Sequence, residues 1–216
     1  MSKINMMQGD CMEYMASLPD NAYELAIVDP PYGIDWMSQT KSVNTGKNWK
    51  QYESKDWDKK PPPKEYFSEL TRVSKNRIIW GANYFDDMPS TSCWVIWDKM
   101  QEFSGATFEM AWTSFPSPAK AFRMARCEAY VGINKIHPTQ KPVALYKWLL
   151  KNYAKPGDKI LDTHGGSGSI CIACHGMGFD LDWIELDPDY YKAAVDRFNL
   201  HTAQGSLFEF EGGEIA

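Results

Sequence analysis

The sequence predicts an α/β protein with a doubly wound, mostly parallel sheet. Short apolar runs of strand length alternate along the chain with amphipathic runs of helix length. Such alternation is typical of strand–helix–strand units, which build parallel sheets with helices on both faces. The chain has 216 residues, of which 44% are hydrophobic, and this is enough for a substantial core in one domain spanning residues 1–216.

The first half of the chain supplies four of these strands. We expect, in order, a strand at 4–8, a helix at 12–18, a strand at 23–28, a long loop at 33–64, a helix at 64–74, and strands at 77–80 and 93–97. The helix at 64–74 turns Phe67, Leu70 and Val73 inward. A loop as long as 33–64 within a compact domain is usually functional or mobile.

The second half continues the alternation of strands and helices, with one strand that is expected to be antiparallel. We expect an alternating strand at 108–113 that pairs antiparallel, an irregular basic segment at 114–136, a helix from Thr139 as N-cap to residue 150, a strand at 159–161, a helix at 169–175, a strand at 182–184, a helix at 190–200 and a frayed tail after His201.

The charge distribution suggests a polyanionic partner despite a net charge of −5. Residues 41–60 hold six lysines against three acids, and residues 120–141 hold five basic residues against one acid. Phosphate binding depends on the local field, so an acidic protein can present a basic face. A scatter of solvated lysines would give the same counts.

The same composition bears on location. No run of 18 apolar residues and no signal-peptide pattern occurs, and the five cysteines lack a disulfide-framework spacing. We therefore expect a soluble, cytoplasmic protein with no membrane partner.

The most informative turn is Asp29-Pro30-Pro31-Tyr32, which ends the apolar strand at 23–28. Two prolines cannot donate to a sheet ladder, and each biases the preceding residue toward extended geometry. The turn is therefore stiff and holds Asp29 and Tyr32 at the carboxyl edge of the sheet, where open α/β sheets bind ligands. One acceptor and one flat ring suit a planar group that bears an amine.

A second strand-to-helix turn is rich in glycine. Asp162-Thr163-His164-Gly165-Gly166-Ser167-Gly168 lets a ligand approach the backbone and a helix N-terminus. About 20 residues later a strand ends at Glu185, which can accept hydrogen bonds from ribose hydroxyls. The spacing fits a nucleoside without choosing the cofactor. The nearby Cys171-Ile172-Ala173-Cys174-His175 lies within a helix, and we expect no haem and no metal there.

Four motifs together resemble a known family. They are D-P-P-Y (29–32), H-P-T-Q-K-P (137–142), D-x-x-x-G-S-G (162–168) and E-x-D-P-x-Y (185–190). In this order the sequence is similar to the β class of DNA amino-methyltransferases, which modify adenine N6 or cytosine N4. The resemblance covers roughly residues 5–200 and implies a circularly permuted, S-adenosylmethionine-dependent methyltransferase fold, with seven strands of which one is antiparallel.

The resemblance also implies site residues. Asp29 and the Pro30 carbonyl accept hydrogen bonds from the target amine of a base flipped out of double-stranded DNA, Pro31 stiffens the turn, and Tyr32 stacks on the base. The implied cofactor residues are Asp10, Thr139, Lys141, Asp162, His164, Gly165, Gly166, Ser167, Gly168 and Glu185. Among them Thr139 and Lys141 are expected near the cofactor carboxylate. Thr163-His164 departs from the family's usual Pro-Phe.

The reaction implied is N6 methylation of adenine, with S-adenosylhomocysteine as product. Asp29 favours adenine, because a serine at that position is usual for cytosine-N4 enzymes. Methylation of RNA or of protein glutamine would be a different use of the same chemistry, and a DNA- or cofactor-binding relative without catalysis would retain the fold alone.

Target recognition is expected in the two segments outside the core motifs, 33–64 and 113–136. Their basic residues Lys41, Lys47, Lys50, Lys120, Arg123 and Arg126 are the predicted DNA contacts, with Trp36, Trp49 and Trp57 for stacking. Part of 33–64 is equally suited to a lid over the cofactor. So small a recognition surface suggests a short or relaxed target sequence, or a homodimer that pools two surfaces.

Overall fold

The computed structural model describes residues 2–35, 58–100, 106–133 and 135–211, with side chains up to residue 204. The strands in this part of the chain are β1 (Ile4–Gln8), β2 (Tyr23–Val28), β3 (Ser74–Trp80), β4 (Trp94–Asp98), β5 (Phe108–Thr113), β6 (Lys120–Arg123), β7 (Lys159–Asp162) and β8 (Asp180–Glu185). The helices are α1 (Cys11–Ala16), α2 (Lys64–Val73), α3 (Arg126–Ala129), α4 (Val143–Tyr153), α5 (Ser169–Met177) and α6 (Pro188–Glu211), with a short 3₁₀ turn at Ala82–Tyr84.

These strands form one sheet in the order β1-β8-β7-β2-β3-β5-β4-β6. Every neighbouring pair is parallel except the two that involve β5, which runs antiparallel to both β3 and β4. The predicted mostly parallel sheet and the antiparallel strand at 108–113 are confirmed. The described sheet has eight strands where the resemblance implied seven, and β6 is one of two elements in the segment 114–136 that we expected to be irregular.

Helical layers cover both faces of the sheet. Along β2, Leu25 and Ile27 point to a core shared with α4 and α5, whereas Ala26 and Val28 point to a core shared with α1 and α2. A strand buried on both faces has no polar side to alternate with, and this explains the continuous apolar run in its sequence.

Two helix ends differ from the sequence prediction. Helix α4 begins at Val143 after Pro142, so the prediction of Thr139 as its N-cap is wrong. A proline disfavours helical geometry at the residue before it, and a helix from Thr139 would have required that geometry at Lys141. Helix α6 continues to Glu211, so the expected fraying after His201 is also wrong.

The parallel strands β1, β8, β7 and β2 are neighbours, so their carboxyl ends meet at one edge of the sheet. Glu185 is the last residue of β8, and the turns at the other three strand ends carry Asp10, Asp29 and the glycine loop, residues 162–168. The order of strands therefore gathers residues that are far apart in the chain. Among the described residues, no helix combines the length and the apolar character needed to cross a membrane.

Candidate active site

A cavity of about 470 Å³ opens at this edge of the sheet. Its volume lies in the range of small-molecule sites. Its walls are Gly9, Asp10, Cys11, Asp29, Pro31, His137, Thr139, Gln140, Lys141, Tyr146, Thr163, His164, Gly165, Gly166, Ser167, Glu185, Leu186, Asp187, Pro188 and Tyr190.

The cavity brings together most of the predicted site residues. The predicted cofactor residues in its wall are Asp10, Thr139, Lys141, His164, Gly165, Gly166, Ser167 and Glu185, and from the predicted catalytic turn Asp29 and Pro31 join them. The predicted residues outside the wall are Pro30, Tyr32, Asp162 and Gly168. These four lie behind or beside the wall residues in the same two turns.

The glycine loop has no room for a side chain at Gly165. The amide of Gly165 donates to the carbonyl of Ile184 at 2.9 Å, and a Cβ at Gly165 would lie 1.9 Å from Cε2 of the buried Trp183 indole. Gly166 has a φ of +54°, a region that favours glycine. The loop therefore depends on glycine both for space and for conformation.

Glu185 fixes the loop against the next turn. Its Oε2 accepts a hydrogen bond from the amide of Gly166 at 2.7 Å, and its Oε1 accepts one from the amide of Asp187 at 2.8 Å. Burial raises the pKa of this carboxyl, and the two amide bonds oppose the shift. One carboxylate thus joins the glycine loop to the turn that begins α6.

Desolvation shifts the pKa of two titratable groups in the loop, Asp162 and His164, toward their uncharged forms. Burial raises the pKa of Asp162 to about 8, and its Oδ1 accepts a hydrogen bond from the amide of His164 at 3.1 Å. Burial lowers the pKa of His164 to about 4. The imidazole packs edge-on against Tyr66, with a ring-centroid distance of 5.1 Å, and its Nδ1 bonds Thr163 Oγ1 at 3.0 Å. At neutral pH the ring is therefore an uncharged wall of the cavity.

Asp58 holds the turn that follows Asp29. Its Oδ1 accepts hydrogen bonds from the amides of Tyr32 at 2.7 Å and Gly33 at 3.1 Å. Asp58 is 4% exposed, so these bonds are shielded from water. The Tyr32 hydroxyl in turn donates to Asp29 Oδ1 at 2.7 Å. Both ends of the turn are thus fixed to each other through a single tyrosine.

The Tyr32 ring lies on residues that follow β3. It stacks on Tyr84 with a centroid distance of 5.2 Å and an interplanar angle of 15°, and Phe85 contacts it edge-on. Gly81, at φ +70°, adds no side chain beneath it. The ring is therefore held by an aromatic platform beside Asp29.

Asp29 is paired with a buried lysine. Lys141 Nζ lies 2.5 Å from Asp29 Oδ2 and 3.2 Å from Glu109 Oε2, and Lys99 Nζ lies 2.8 Å from Glu109 Oε1. Burial raises the pKa of Asp29 although Lys141 opposes the shift. For Glu109 the balance is reversed: burial alone raises its pKa, but Lys141 and Lys99 outweigh burial and lower it to about 2.

Sequence reasoning missed several members of this site. Asp58 lies within the lysine-rich run, Tyr84 lies in a 3₁₀ turn, and Glu109 is one polar position of an alternating strand. None of them belongs to a recognisable motif. The available signal for Glu109 was the polar side of the alternating strand at 108–113, because Glu109 lies on that side and pairs with Lys141.

The predicted DNA contacts divide into three groups. Lys41, Lys47, Lys50, Trp36, Trp49 and Trp57 lie outside the described residues. Lys120 begins β6 and donates to Asn152 Oδ1 at 3.0 Å, near the C-terminus of α4 and away from the Asp29 edge. Arg123 ends β6 beside Asp98 at 3.4 Å, and Arg126 begins α3. Of the predicted DNA contacts in the described part of the chain, Arg123 and Arg126 therefore lie at the edge of the sheet that carries the cavity.

Solved structures share this fold. A complex of M1.HpyAVI with SAM matches with a TM-score of 0.56 at 19% identity over 90% of this chain and 99% of that chain. The cytosine-N4-specific PvuII DNA methyltransferase matches with a TM-score of 0.58 at 14% identity over 91% of this chain and 86% of that chain. The fold is thus that of the S-adenosylmethionine-dependent methyltransferases.

Sequence relatives lead to the family. The putative methylase YubD of Escherichia coli K12 is 28% identical over 88% of both chains, and the type II methyltransferase M.HinfI of Haemophilus influenzae is 25% identical over 89% of this chain and 67% of its own. The profile of the N6/N4 methyltransferase family, described as DNA methylase, matches residues 86–196. The chain belongs to this family.

Proposed function

We propose that the protein transfers a methyl group from S-adenosylmethionine to N6 of adenine in double-stranded DNA. The observation that carries the proposal is a single cavity that is lined both by Asp29 and by Gly165, Gly166 and Ser167 of the glycine loop. The two turns leave neighbouring parallel strands, β2 and β7, so a methyl donor in one and an acceptor at the other are side by side.

The cavity suits this cofactor by its charge and its shape. Asp10, Asp29, Glu185 and Asp187 all line it, and an acidic wall favours a ligand with a positively charged sulfur. The backbone of Gly165 and Gly166 and the carboxylate of Glu185 would hold its methionine and ribose parts. When bound, S-adenosylmethionine supplies an activated methyl group on a sulfonium.

Asp29 prepares the amine of the target base. The lone pair of that nitrogen is delocalised into the ring, and acceptance of its two N–H groups by Asp29 and by the Pro30 carbonyl favours a pyramidal nitrogen with a directed lone pair. As the N–C bond forms and the S–C bond breaks, the nitrogen must lose one proton. Asp29 is the hydrogen-bonded carboxylate that can receive it. No covalent enzyme intermediate is needed, and stacking on Tyr32 offsets part of the cost of unstacking the base.

Cytosine-N4 methylation is the second candidate. It needs the same geometry, and the PvuII enzyme shares the fold. Asp29 supports adenine, because a serine is the usual residue at this position in the cytosine enzymes that the motif resembles.

We further propose that residues 1–216 form a single methyltransferase domain in which 33–64 and 113–136 recognise DNA. Within the second segment, Arg123 and Arg126 support this role by their position at the carboxyl edge. Lys41, Lys47 and Lys50 are proposed to add to the phosphate field, and a homodimer would extend the surface. Lys120 lies at the opposite end of β6, so a contact from it would require DNA that extends beyond the carboxyl edge.

A host strain that lacks DNA methylation tests the proposal. Expression of the protein should introduce N6-methyladenine, detected by mass spectrometry of nucleosides and mapped by single-molecule sequencing. Asp29→Ala should abolish the modification, whereas Asp86→Asn, at an exposed acid, should leave it intact. N4-methylcytosine without N6-methyladenine would select the second candidate, and modification that survives Asp29→Ala would show that the assigned centre is wrong.

A further inference from the structure

Four charged side chains of alternating sign form a chain that leads away from the catalytic turn. They are Asp29, Lys141, Glu109 and Lys99, joined at 2.5, 3.2 and 2.8 Å. The side chain of Lys141 is 1% exposed and that of Lys99 is 9% exposed. Ion pairs on a protein surface contribute little to folding stability, but burial of an ammonium is costly unless anions surround it. The Lys141 ammonium must therefore keep a carboxylate partner wherever it lies.

Lys141 occupies the place on Asp29 that the target amine needs. Asp29 Oδ1 already accepts the Tyr32 hydroxyl at 2.7 Å, and Oδ2 accepts Lys141 Nζ at 2.5 Å. An ammonium N–H on Oδ2 is chemically similar to the N–H of an exocyclic base amine, so the two donors compete for one acceptor. Charge on the ammonium also makes Asp29 a weaker acceptor for any second donor.

Glu109 offers Lys141 a second partner without any large movement. Its Oε2 is 3.2 Å from Lys141 Nζ, while its Oε1 is held by Lys99 at 2.8 Å. The indole ring of Trp80 lies 5.0 Å from the same ammonium and adds a cation–π contact. When the lysine leaves Asp29, it thus remains paired to an anion that Lys99 fixes in place.

We propose that Glu109 is a positioning residue that retains Lys141 while the target amine takes the lysine's place on Asp29. The inference rests on the proposed methyl transfer and adds a residue and a step to it. Lys141 fills the amine position in the resting enzyme and so keeps Asp29 Oδ2 paired until the base arrives. Without Glu109, Asp29 is the one carboxylate among the described residues that pairs with Lys141, and the ammonium excludes the base.

The test compares two substitutions at Glu109 with a matched exposed control. Glu109→Gln keeps the shape and removes the charge, Glu109→Asp keeps the charge, and Glu65→Gln makes the same change on the exposed side of α2. Methyl transfer is measured on unmethylated genomic DNA at saturating S-adenosylmethionine. The dissociation constant of S-adenosylhomocysteine and the melting temperature are measured on the same samples.

We expect Glu109→Gln to lower kcat at least 10-fold with the KM for DNA within threefold and the S-adenosylhomocysteine dissociation constant within twofold of the parent. Glu109→Asp should recover at least a third of the parental kcat, and Glu65→Gln should match the parent. A Glu109→Gln enzyme that keeps kcat within threefold, one that loses cofactor binding together with kcat, or a Glu109→Asp enzyme no faster than Glu109→Gln would each overturn the inference. A parent enzyme that methylates no DNA base would overturn the proposed function itself, and that result involves no substitution at Glu109.

Discussion

Gly81 and Tyr32 pack so closely that a Cβ on Gly81 would lie 2.0 Å from Cε1 of the tyrosine ring. Gly81 follows β3 and Tyr32 follows β2, and these strands are parallel neighbours. Gly81 also has a φ of +70°. The position of the ring beside Asp29 is therefore set by the end of an adjacent strand as well as by its own turn.

Gly81→Ala should displace Tyr32 and slow methyl transfer. The new methyl group would overlap the ring, and the positive φ adds strain of about 1 kcal/mol or more. We expect a fall in kcat of at least 10-fold and a lower melting temperature. Gly157→Ala is the matched control, because Gly157 also has a positive φ, +90°, but a Cβ there meets nothing within 4 Å. If both variants lost activity equally, backbone strain rather than the contact with Tyr32 would be the cause.

Asp58→Ala should loosen the catalytic turn. The amides of Tyr32 and Gly33 would lose their common acceptor in a partly buried place, at a cost of about 1–3 kcal/mol. We expect a lower midpoint of urea unfolding and a lower kcat, with S-adenosylhomocysteine binding within threefold of the parent. Asp58→Asn retains Oδ1 as an acceptor and should lose less of both. An alanine variant as stable and active as the parent would contradict the role assigned to Asp58.

Glu185→Ala should weaken cofactor binding and leave the sheet folded. It removes the acceptor of the Gly166 and Asp187 amides and the carboxylate assigned to the ribose. We expect calorimetry to give a dissociation constant for S-adenosylhomocysteine at least 30-fold higher. Glu185→Gln keeps one acceptor oxygen and should have a smaller effect. The exposed Glu13→Gln is the control, and equal affinities in all four proteins would remove Glu185 from the cofactor site.

Asp162→Asn should raise stability increasingly as the pH rises. Burial raises the pKa of Asp162 from its ordinary value of 3.8 to about 8 in the folded protein, so the native state holds a proton that the unfolded chain releases. Parental stability from this group is fully present below about pH 4 and is lost as the pH rises to about 8. Asparagine avoids that loss and keeps an acceptor for the His164 amide.

The melting temperatures of the parent and Asp162→Asn should therefore be close at about pH 4 and separate up to about pH 8. For a domain of this size each kcal/mol corresponds to about 2–4 °C. Asp196→Asn, an exposed acid on α6, should show no such divergence. A constant difference between the two curves at all pH values would contradict a buried, protonated Asp162.

The parts of the fold that local patterns determine were predictable from the sequence. The apolar run of β2 is buried on both faces and is followed by Asp29 and two prolines. The prediction of a strand at 23–28 was therefore correct at both ends. Strand β6, by contrast, is only four residues long, with alternating burial at the sheet edge, and its residues carry little periodic signal. Short edge strands depend on their neighbour more than on their own residues.

The candidate site divides in the same way. Asp29, Glu185 and the glycine loop each follow a strand that the sequence reveals, so their meeting at one edge was predictable from topology. The pairs that set the charge of the site were not predictable, because Lys141 and Asp29 are separated by 112 positions and Glu109 lies on a third element. Which face of β5 turns toward Lys141 is fixed only when the strand pairs with β3 and β4.

The pairing of β2 with β7 has an evolutionary consequence. Leu25 aligns with Ile160 and Ala26 with Leu161, so the turn with Asp29 and the glycine loop leave the sheet about 4.8 Å apart, one strand spacing. Backbone hydrogen bonds, rather than loop sequences, thus set the spacing of the two strand ends from which these turns start. Under the proposed function, insertions and substitutions in the connecting loops would change which DNA sequence is selected while this spacing stays constant, so new specificities would arise without re-optimising the chemistry.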